Sequence, residues 1–322
     1  MADPPVFVVG CGRSGTTLLR LMLDAHPDLA IPPESHFLSR FGHNLGRYGT
    51  AGHVDAERLA SDIVRTKTFQ AWGVPGAEVM PRVHALAAPT FAGVVDAVYM
   101  AYADAHGAAR WGDKTPRYVL DIPLFDRLFP GSRFVHIIRD GRDVAMSLRT
   151  VRFGPNEPMS AAAFWERRVR AGRRDGDALG TARYHEVRYE QLVEDPEREL
   201  RTICSFLELS WNPAMLDYPE RVAGALPDDR RSQHRHEDRP PTKGLRDWRT
   251  EMPAADVAAF EAVAGDLLDE LGYERGAPPP VASLRAKVAM HRARALARRV
   301  AWSVRARTPA GRGRESGSDD AY

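Results

Sequence analysis

Val6-Phe7-Val8-Val9-Gly10-Cys11-Gly12-Arg13-Ser14-Gly15-Thr16-Thr17-Leu18-Leu19-Arg20 is the stretch whose reading decides the fold. Its first four residues are β-branched or aromatic, and an unbroken apolar run of this length reads as a strand buried in a parallel sheet. Glycines and small hydroxyl residues follow, and then Leu18, Leu19, Leu21, Met22 and Leu23 open a helix with an apolar face. Strand, tight loop and helix together aim backbone N–H groups and the positive helix end at an anion. The loop is expected to hold a phosphate-like group.

Two patterns fit the loop. Gly10-Cys11-Gly12-Arg13-Ser14-Gly15 is a GxGxxG, the dinucleotide fingerprint, with Glu34 near the place of a ribose-binding acid. The same residues approach a phosphate-cradling P-loop: Gly10 and Gly15 are correctly spaced, Thr17 occupies the Ser/Thr position, and Thr16 replaces the usual Lys. The dinucleotide pattern needs a strand ending at Glu34. The approach Ala30-Ile31-Pro32-Pro33 carries two prolines, which cannot donate to a sheet ladder. Arg13 adds a fixed positive charge that suits a transferring anionic group. The remaining reading is that the glycines only make a tight turn.

The rest of the chain bounds these readings. Its 322 residues can bury a full core, as one large domain or two small ones. No basic segment followed by an apolar run opens the sequence, and no window approaches a membrane span. Cys11 and Cys204 are the only cysteines, so no disulfide framework or cysteine zinc site is expected, and a reducing, cytoplasmic compartment is. The formal net charge is +2, and a nucleic-acid partner is not expected. The pattern commits to no oligomeric state.

In chain order, Leu29-Ala30-Ile31 reads as a short strand. Glu34 then has two readings, a first-turn acid complementing a helix dipole or a base beside the anion loop. His36 reads as a surface residue in preference to a base. Residues 55–102 are helical in pattern, an insertion placed to shape an acceptor pocket. Arg110-Trp111-Gly112-Asp113-Lys114-Thr115-Pro116-Arg117 reads as a strand end delivering side chains to a cleft, with Lys114 either neutralising a transferring group or paired to Asp113 in solvent. Phe134 to Ile138 is a second buried strand. Arg139 stands at its carboxyl end, where open parallel sheets bind ligands. Ser147 follows about two helical turns on, so that Arg139 and Ser147 make a second phosphate site. Arg142 and Asp143 read as a local surface pair.

Two anion sites at the ends of two parallel strands suit a nucleotide phosphorylated at both ends, and here the residues resemble a known family. Gly12–Pro27, GRSGTTLLRLMLDAHP, is similar to the 5′-phosphosulfate loop of the sulfotransferases that use 3′-phosphoadenosine 5′-phosphosulfate. Ile137–Ser147, IIRDGRDVAMS, is similar to their 3′-phosphate element, and Pro32–Leu38 with Gly112–Pro116 resemble the tyrosylprotein and bacterial branch.

The resemblance implies the following roles. Amides of Ser14, Gly15, Thr16 and Thr17 cradle the 5′-phosphosulfate, and Arg13 sits at the bridging oxygen. Arg139 and Ser147 hold the 3′-phosphate, with Lys243, preferred to Arg246, closing over it. Tyr189 lies near the adenine, although composition alone makes it a core aromatic. Glu34 is the general base, and Lys114 matches the Lys of the KTP-type segment. No metal is required. The implied fold is α/β, a P-loop-type central parallel sheet flanked by helices over residues 1–275, with a helical insertion. The reaction is sulfuryl transfer to a hydroxyl-bearing acceptor: carbohydrate, lipid, natural product or peptide tyrosine. Its rivals are a kinase-like P-loop transferase, a non-catalytic nucleotide-binding module and a dinucleotide oxidoreductase.

Toward the C-terminus, residues 161–178 and 254–271 read as helices and 221–241 as a loop, whose His234 and His236 are solvated and not ligands. Residues 276–322 form a separate tail after a proline-rich linker. Val281 to Arg307 is basic and free of acids, a helix for an anionic membrane surface or an acidic partner, or a solvated tail. Gly311 to Tyr322 is expected to be disordered.

Overall fold

A computed structural model describes residues 3–151, 154–217 and 247–306. Strand β1 (Val6–Gly10) runs into α1 (Thr16–Asp24), β2 (Leu29–Ala30), α2 (Phe37–His43) and a ribbon of β3 (Gly49–Thr50) and β4 (His53–Val54). The helical insertion comprises α3 (Ala56–Val64), α4 (Lys67–Gln70), α5 (Met80–His84) and α6 (Phe91–Ala105), and leads to β5 (Arg110–Lys114). Next come α7 (Ile122–Leu128), β6 (Arg133–Ile138), α8 (Gly141–Leu148), α9 (Pro158–Leu179), β7 (Tyr184–Arg188), α10 (Tyr189–Glu194) and α11 (Pro196–Leu207). The final helices are α12 (Trp248–Glu251), α13 (Ala254–Glu270) and α14 (Ala282–Ala306). Lys243, Arg246, His234 and His236 lie outside the described residues, as do the 221–241 segment and the terminal 311–322 stretch. Among the described residues no helix is long and apolar enough to cross a membrane.

The chain divides into two units. The first comprises Met1–Arg139 with Arg168–Lys243, the second Asp140–Arg167 with Gly244–Tyr322.

In the first unit the sheet order is β2-β5-β1-β6-β7, parallel throughout. The apolar run of β1 has no polar alternation because both of its faces are covered. Phe7 and Val9 enter a core with Phe37, Phe125 and Phe134, while Val6 and Val8 enter another with Leu19, Met22 and Ile203. The Phe7 ring stacks on Phe125 at 5.0 Å and on Phe134 at 5.3 Å between centroids. With every strand running the same way, the carboxyl ends of all five lie along one edge. Those ends and the segments that follow them hold Glu34, Lys114, the glycine loop, Arg139 and Tyr189.

Asp121, at the start of α7, ties that helix to α2: it accepts from Ser39 Oγ at 2.7 Å and meets His43 Nε2 at 2.9 Å. The hydrogen bond to Asp121 raises the His43 pKa above the usual imidazole value. Burial pushes Asp121 up, but the hydrogen bonds from His43 and Ser39 outweigh it and hold the carboxyl low.

In the second unit Arg142 corrects the sequence reading. It is fully buried rather than part of a surface pair. Its guanidinium donates to Asp140 Oδ2 at 2.7 Å, Glu261 Oε1 at 2.6 Å and the Glu274 carbonyl at 2.8 Å, and lies 3.5 Å from the Trp248 ring centroid. Asp143 Oδ1 accepts from the backbone N–H of Trp248 at 3.0 Å. Five donors in a planar fork let one arginine satisfy several acceptors at once.

Truncating Arg142→Ala removes the guanidinium that the buried Asp140 and Glu261 carboxylates share and is expected to cost about 3–5 kcal/mol, read as a lower urea midpoint. The His43 contribution is full below the ordinary imidazole pKa of about 6.5 and is lost as pH rises through the raised folded value. The stability difference between wild type and His43→Gln therefore shrinks as the pH of urea titrations is raised from mildly acidic to alkaline.

Candidate active site

The loop after β1 is shaped by close approach. A Cβ at Gly10 would lie 2.6 Å from the Ile137 carbonyl of β6. Arg13 at φ 73 and Gly15 at φ 91 take left-handed backbone, and the Ser14 N–H closes the turn on the Cys11 carbonyl at 3.1 Å. Helix α1 starts without a side-chain cap, so its first N–H groups, including those of Thr16 and Thr17, are left for an outside acceptor. Ser14 Oγ is buried with no hydrogen-bond partner among the described residues. An uncapped helix start, a left-handed turn and an orphaned hydroxyl make an anion nest. Burial pushes the Cys11 thiol up to about 12, outweighing Arg168, so it stays protonated and is no nucleophile.

Strand β5 pairs with β1 so that Lys114 stands opposite Val8. Its side chain is 4% exposed. Nζ donates to Glu34 Oε1 at 2.6 Å and to Thr17 Oγ1 at 3.2 Å, joining the acid to the loop. Asp113, one residue back, points to the opposite face, as successive strand residues do, and accepts from Tyr99 Oη at 2.6 Å. The solvated Lys114–Asp113 pair therefore does not form.

Glu34 is not a first-turn helix acid. Helix α2 begins at Phe37, with no acid in its first turn. His36 is half-exposed, yet its Nε2 lies 2.9 Å from Glu34 Oε2, brought there by a left-handed backbone at φ 53. Burial pushes Glu34 up, but the Lys114 ammonium and the hydrogen bond to His36 outweigh it, holding the carboxyl well below the usual carboxylate range. The acid's segment is clamped from outside the cleft. The Ser35 N–H donates to Thr115 Oγ1 at 3.2 Å, Ser35 Oγ meets Tyr118 Oη at 2.8 Å, and Trp72 Nε1 donates to the Pro33 carbonyl at 2.8 Å. Sequence reasoning missed His36 as a partner and these clamps. The only signal was the run of polar residues around Glu34 and Lys114.

Tyr189, first residue of α10, is half-buried and packs at the edge of the core around Leu19 and Ile203. Its ring fills the place of a Gly15 Cβ, with the nearest ring carbon 2.4 Å from that point. Arg139 stacks on the same ring, its guanidinium carbon 4.3 Å from the centroid. Loop, tyrosine and arginine thus form a continuous line at the carboxyl edge of the sheet. Ser147 is buried on α8, in the second unit. No cluster of His, Cys, Asp and Glu side chains suited to a metal ion occurs among the described residues. Along α2 from His36, a pocket of about 310 Å³ is lined by Arg40, Arg47, Tyr48, Asp62, Arg65 and Thr66.

Comparison with known proteins places the chain among sulfotransferases. The chain is 30% identical over 296 residues to protein-tyrosine sulfotransferase 2 of Gallus gallus, covering 86% of this chain and 71% of that protein. It is 28% identical over 290 residues to protein-tyrosine sulfotransferase 1 of Homo sapiens, with the same coverage of 86% and 71%. Among solved structures, the sulfotransferase domain of the Synechococcus PCC 7002 olefin synthase matches with a TM-score of 0.60 at 25% identity, over 85% of this chain and 97% of that one. Residues 4–213 match the family model described as the sulfotransferase family, a span that contains the loop, Glu34, Lys114, Arg139 and Tyr189: the chain belongs to the sulfotransferase family.

Proposed function

We propose that this sulfotransferase moves the sulfuryl group of 3′-phosphoadenosine 5′-phosphosulfate to an acceptor hydroxyl, with Glu34 as general base. The observation that carries the reading is the Lys114 bridge, one ammonium bonded to both the loop threonine and the acid. Fit to the nucleotide is supported by the uncapped α1 start and the orphaned Ser14 hydroxyl. When bound, the nucleotide supplies an activated sulfuryl group on its 5′-phosphate.

The chain's own residues do the rest. The amides of Ser14, Gly15, Thr16 and Thr17 hold the 5′ end, and Arg13 and Lys114 neutralise charge growing on the departing bridging oxygen. Lys114 thereby takes the part of the P-loop lysine that Thr16 replaces. Arg139 takes the 3′-phosphate, and Tyr189 lies beside the adenine. Glu34 accepts the acceptor's proton as the new S–O bond forms, while the electron pair of the old one leaves with the nucleotide. Among carbohydrate, lipid, natural product and peptide tyrosine, the names of the relatives favour tyrosine.

The test is radiolabelled sulfuryl transfer from this donor to a panel of those acceptors, beside ATP with magnesium. Phosphoryl transfer in place of sulfuryl transfer would overturn the proposal. Glu34→Gln is expected to lower kcat by roughly 10²-fold or more, the scale of general-base catalysis, while calorimetry finds binding of 3′,5′-bisphosphorylated adenosine retained. Equal loss of both would remove Glu34 from the base role. Gly15→Ala drives a methyl into the Tyr189 ring at a left-handed position, and strain of about 1–3 kcal/mol should weaken that binding roughly 10- to 100-fold.

A further inference from the structure

We propose that α14 docks in the plane of an anionic lipid surface. The large hydrophobic side chains left exposed among the described residues are Val281 at 65%, Met290 at 50% and Leu296 at 63%. Two of these lie on α14 and the third immediately precedes it.

The exposed residues on the helix are ordered. At about 100° per residue, Ala286, Ala289, Met290, Ala293, Leu296 and Ala297 fall within one arc of about 120°, and all six are exposed. Arg285 borders that arc on one side, Lys287 and Arg294 on the other. The opposite side of the helix is already occupied. Val288 is buried at 6% exposure, and Arg292 Nη2 donates to the Val263 carbonyl of α13 at 3.1 Å. The apolar arc is thus the face that packing leaves outward.

The charge pattern selects the partner. No Asp or Glu occurs between Ala282 and Ala306, and Arg298, Arg299 and Arg305 continue the basic series. A helix reading nucleic acid or an acidic protein would carry its cations on the outward crest. Here the crest is apolar and the cations stand at its margins, where long alkyl stems can lie along the acyl boundary while the charged ends reach lipid phosphates. Apolar burial and attraction to anionic headgroups then act on the same face.

Flotation of the full chain with vesicles of equal parts phosphatidylcholine and phosphatidylglycerol tests this. The chain should float with those vesicles, less so as salt is raised, and not with pure phosphatidylcholine. The double variant Met290→Glu/Leu296→Glu should lower the partition at least tenfold, and the uncharged Met290→Gln/Leu296→Gln should lower it in the same direction. Circular dichroism should show the helix content of both unchanged. Absence of flotation, equal flotation with neutral vesicles, or wild-type flotation of both variants would overturn the proposal. So would tight binding of a duplex oligonucleotide that both variants retain while none of the proteins floats. The readout needs neither donor nor acceptor, so it stands apart from the outcome of the sulfuryl-transfer assay.

Discussion

One nearly buried ammonium holds the first unit's site together. Lys114 Nζ ends β5 with its charge met by Glu34 and its remaining reach by Thr17. An ammonium taken out of water without partners is costly, and removing one partner of such a pair leaves the other as an uncompensated charge. The position of the acid and the shape of the loop–helix junction are therefore a single constraint. Glu34 follows β2 and Thr17 follows β1, and the strand that carries Lys114 runs between those two.

That arrangement follows from the sheet. In the order β2-β5-β1-β6-β7, neighbouring strands lie about 4.8 Å apart, so three adjacent carboxyl ends span about 10 Å. Parallel direction puts those ends on one edge, and each connection returns across a face through a helix. Residues 80 apart in sequence, Glu34 and Lys114, can then meet at 2.6 Å. On the other side of β1, Arg139 and Tyr189 follow the ends of β6 and β7 and meet over one ring. A single aromatic side chain fills the space that Gly15 leaves, so the missing side chain of the loop and the tyrosine of α10 are complementary shapes.

Much of this was legible because it is local. The apolar run before Gly10, the turn glycines and the strand ending at Arg139 announce themselves within a few residues, and motif similarity supplied Glu34 and Lys114. What the sequence concealed is pairing across distance. Arg142 looks solvated among charged neighbours, but one of its partners, Glu261, lies 119 residues on, and no periodicity reports that. Asp113 and Lys114 look like a pair because they are adjacent, and strand alternation sends them to opposite faces. His36 read as a surface residue because nothing in the pattern marks a left-handed backbone, and only that backbone returns its ring to Glu34. No sequence pattern marks Trp72 or Tyr118, yet their polar atoms fix the acid's segment.

The acidity of Glu34 needs an explanation if the residue is to accept a proton. At rest both carboxylate oxygens are engaged, Oε1 by Lys114 and Oε2 by His36, and the pair overcomes the upward push of burial. A base held so low is weak, and general-base efficiency rises as its pKa nears the working pH. The two holds differ in kind, however. His36 orients the carboxylate from the open side, while Lys114 faces the loop where, under the proposed reaction, negative charge grows on the leaving oxygen. As that charge draws the ammonium toward the loop, the hold on Oε1 slackens and burial counts for more. Under the proposed reaction, the cation that keeps Glu34 ionised before transfer gives up its grip as the bond to sulfur breaks, so basicity rises with departure of the leaving group. The loop, the lysine and the acid act as one device because a single buried charge cannot serve two anions equally at once.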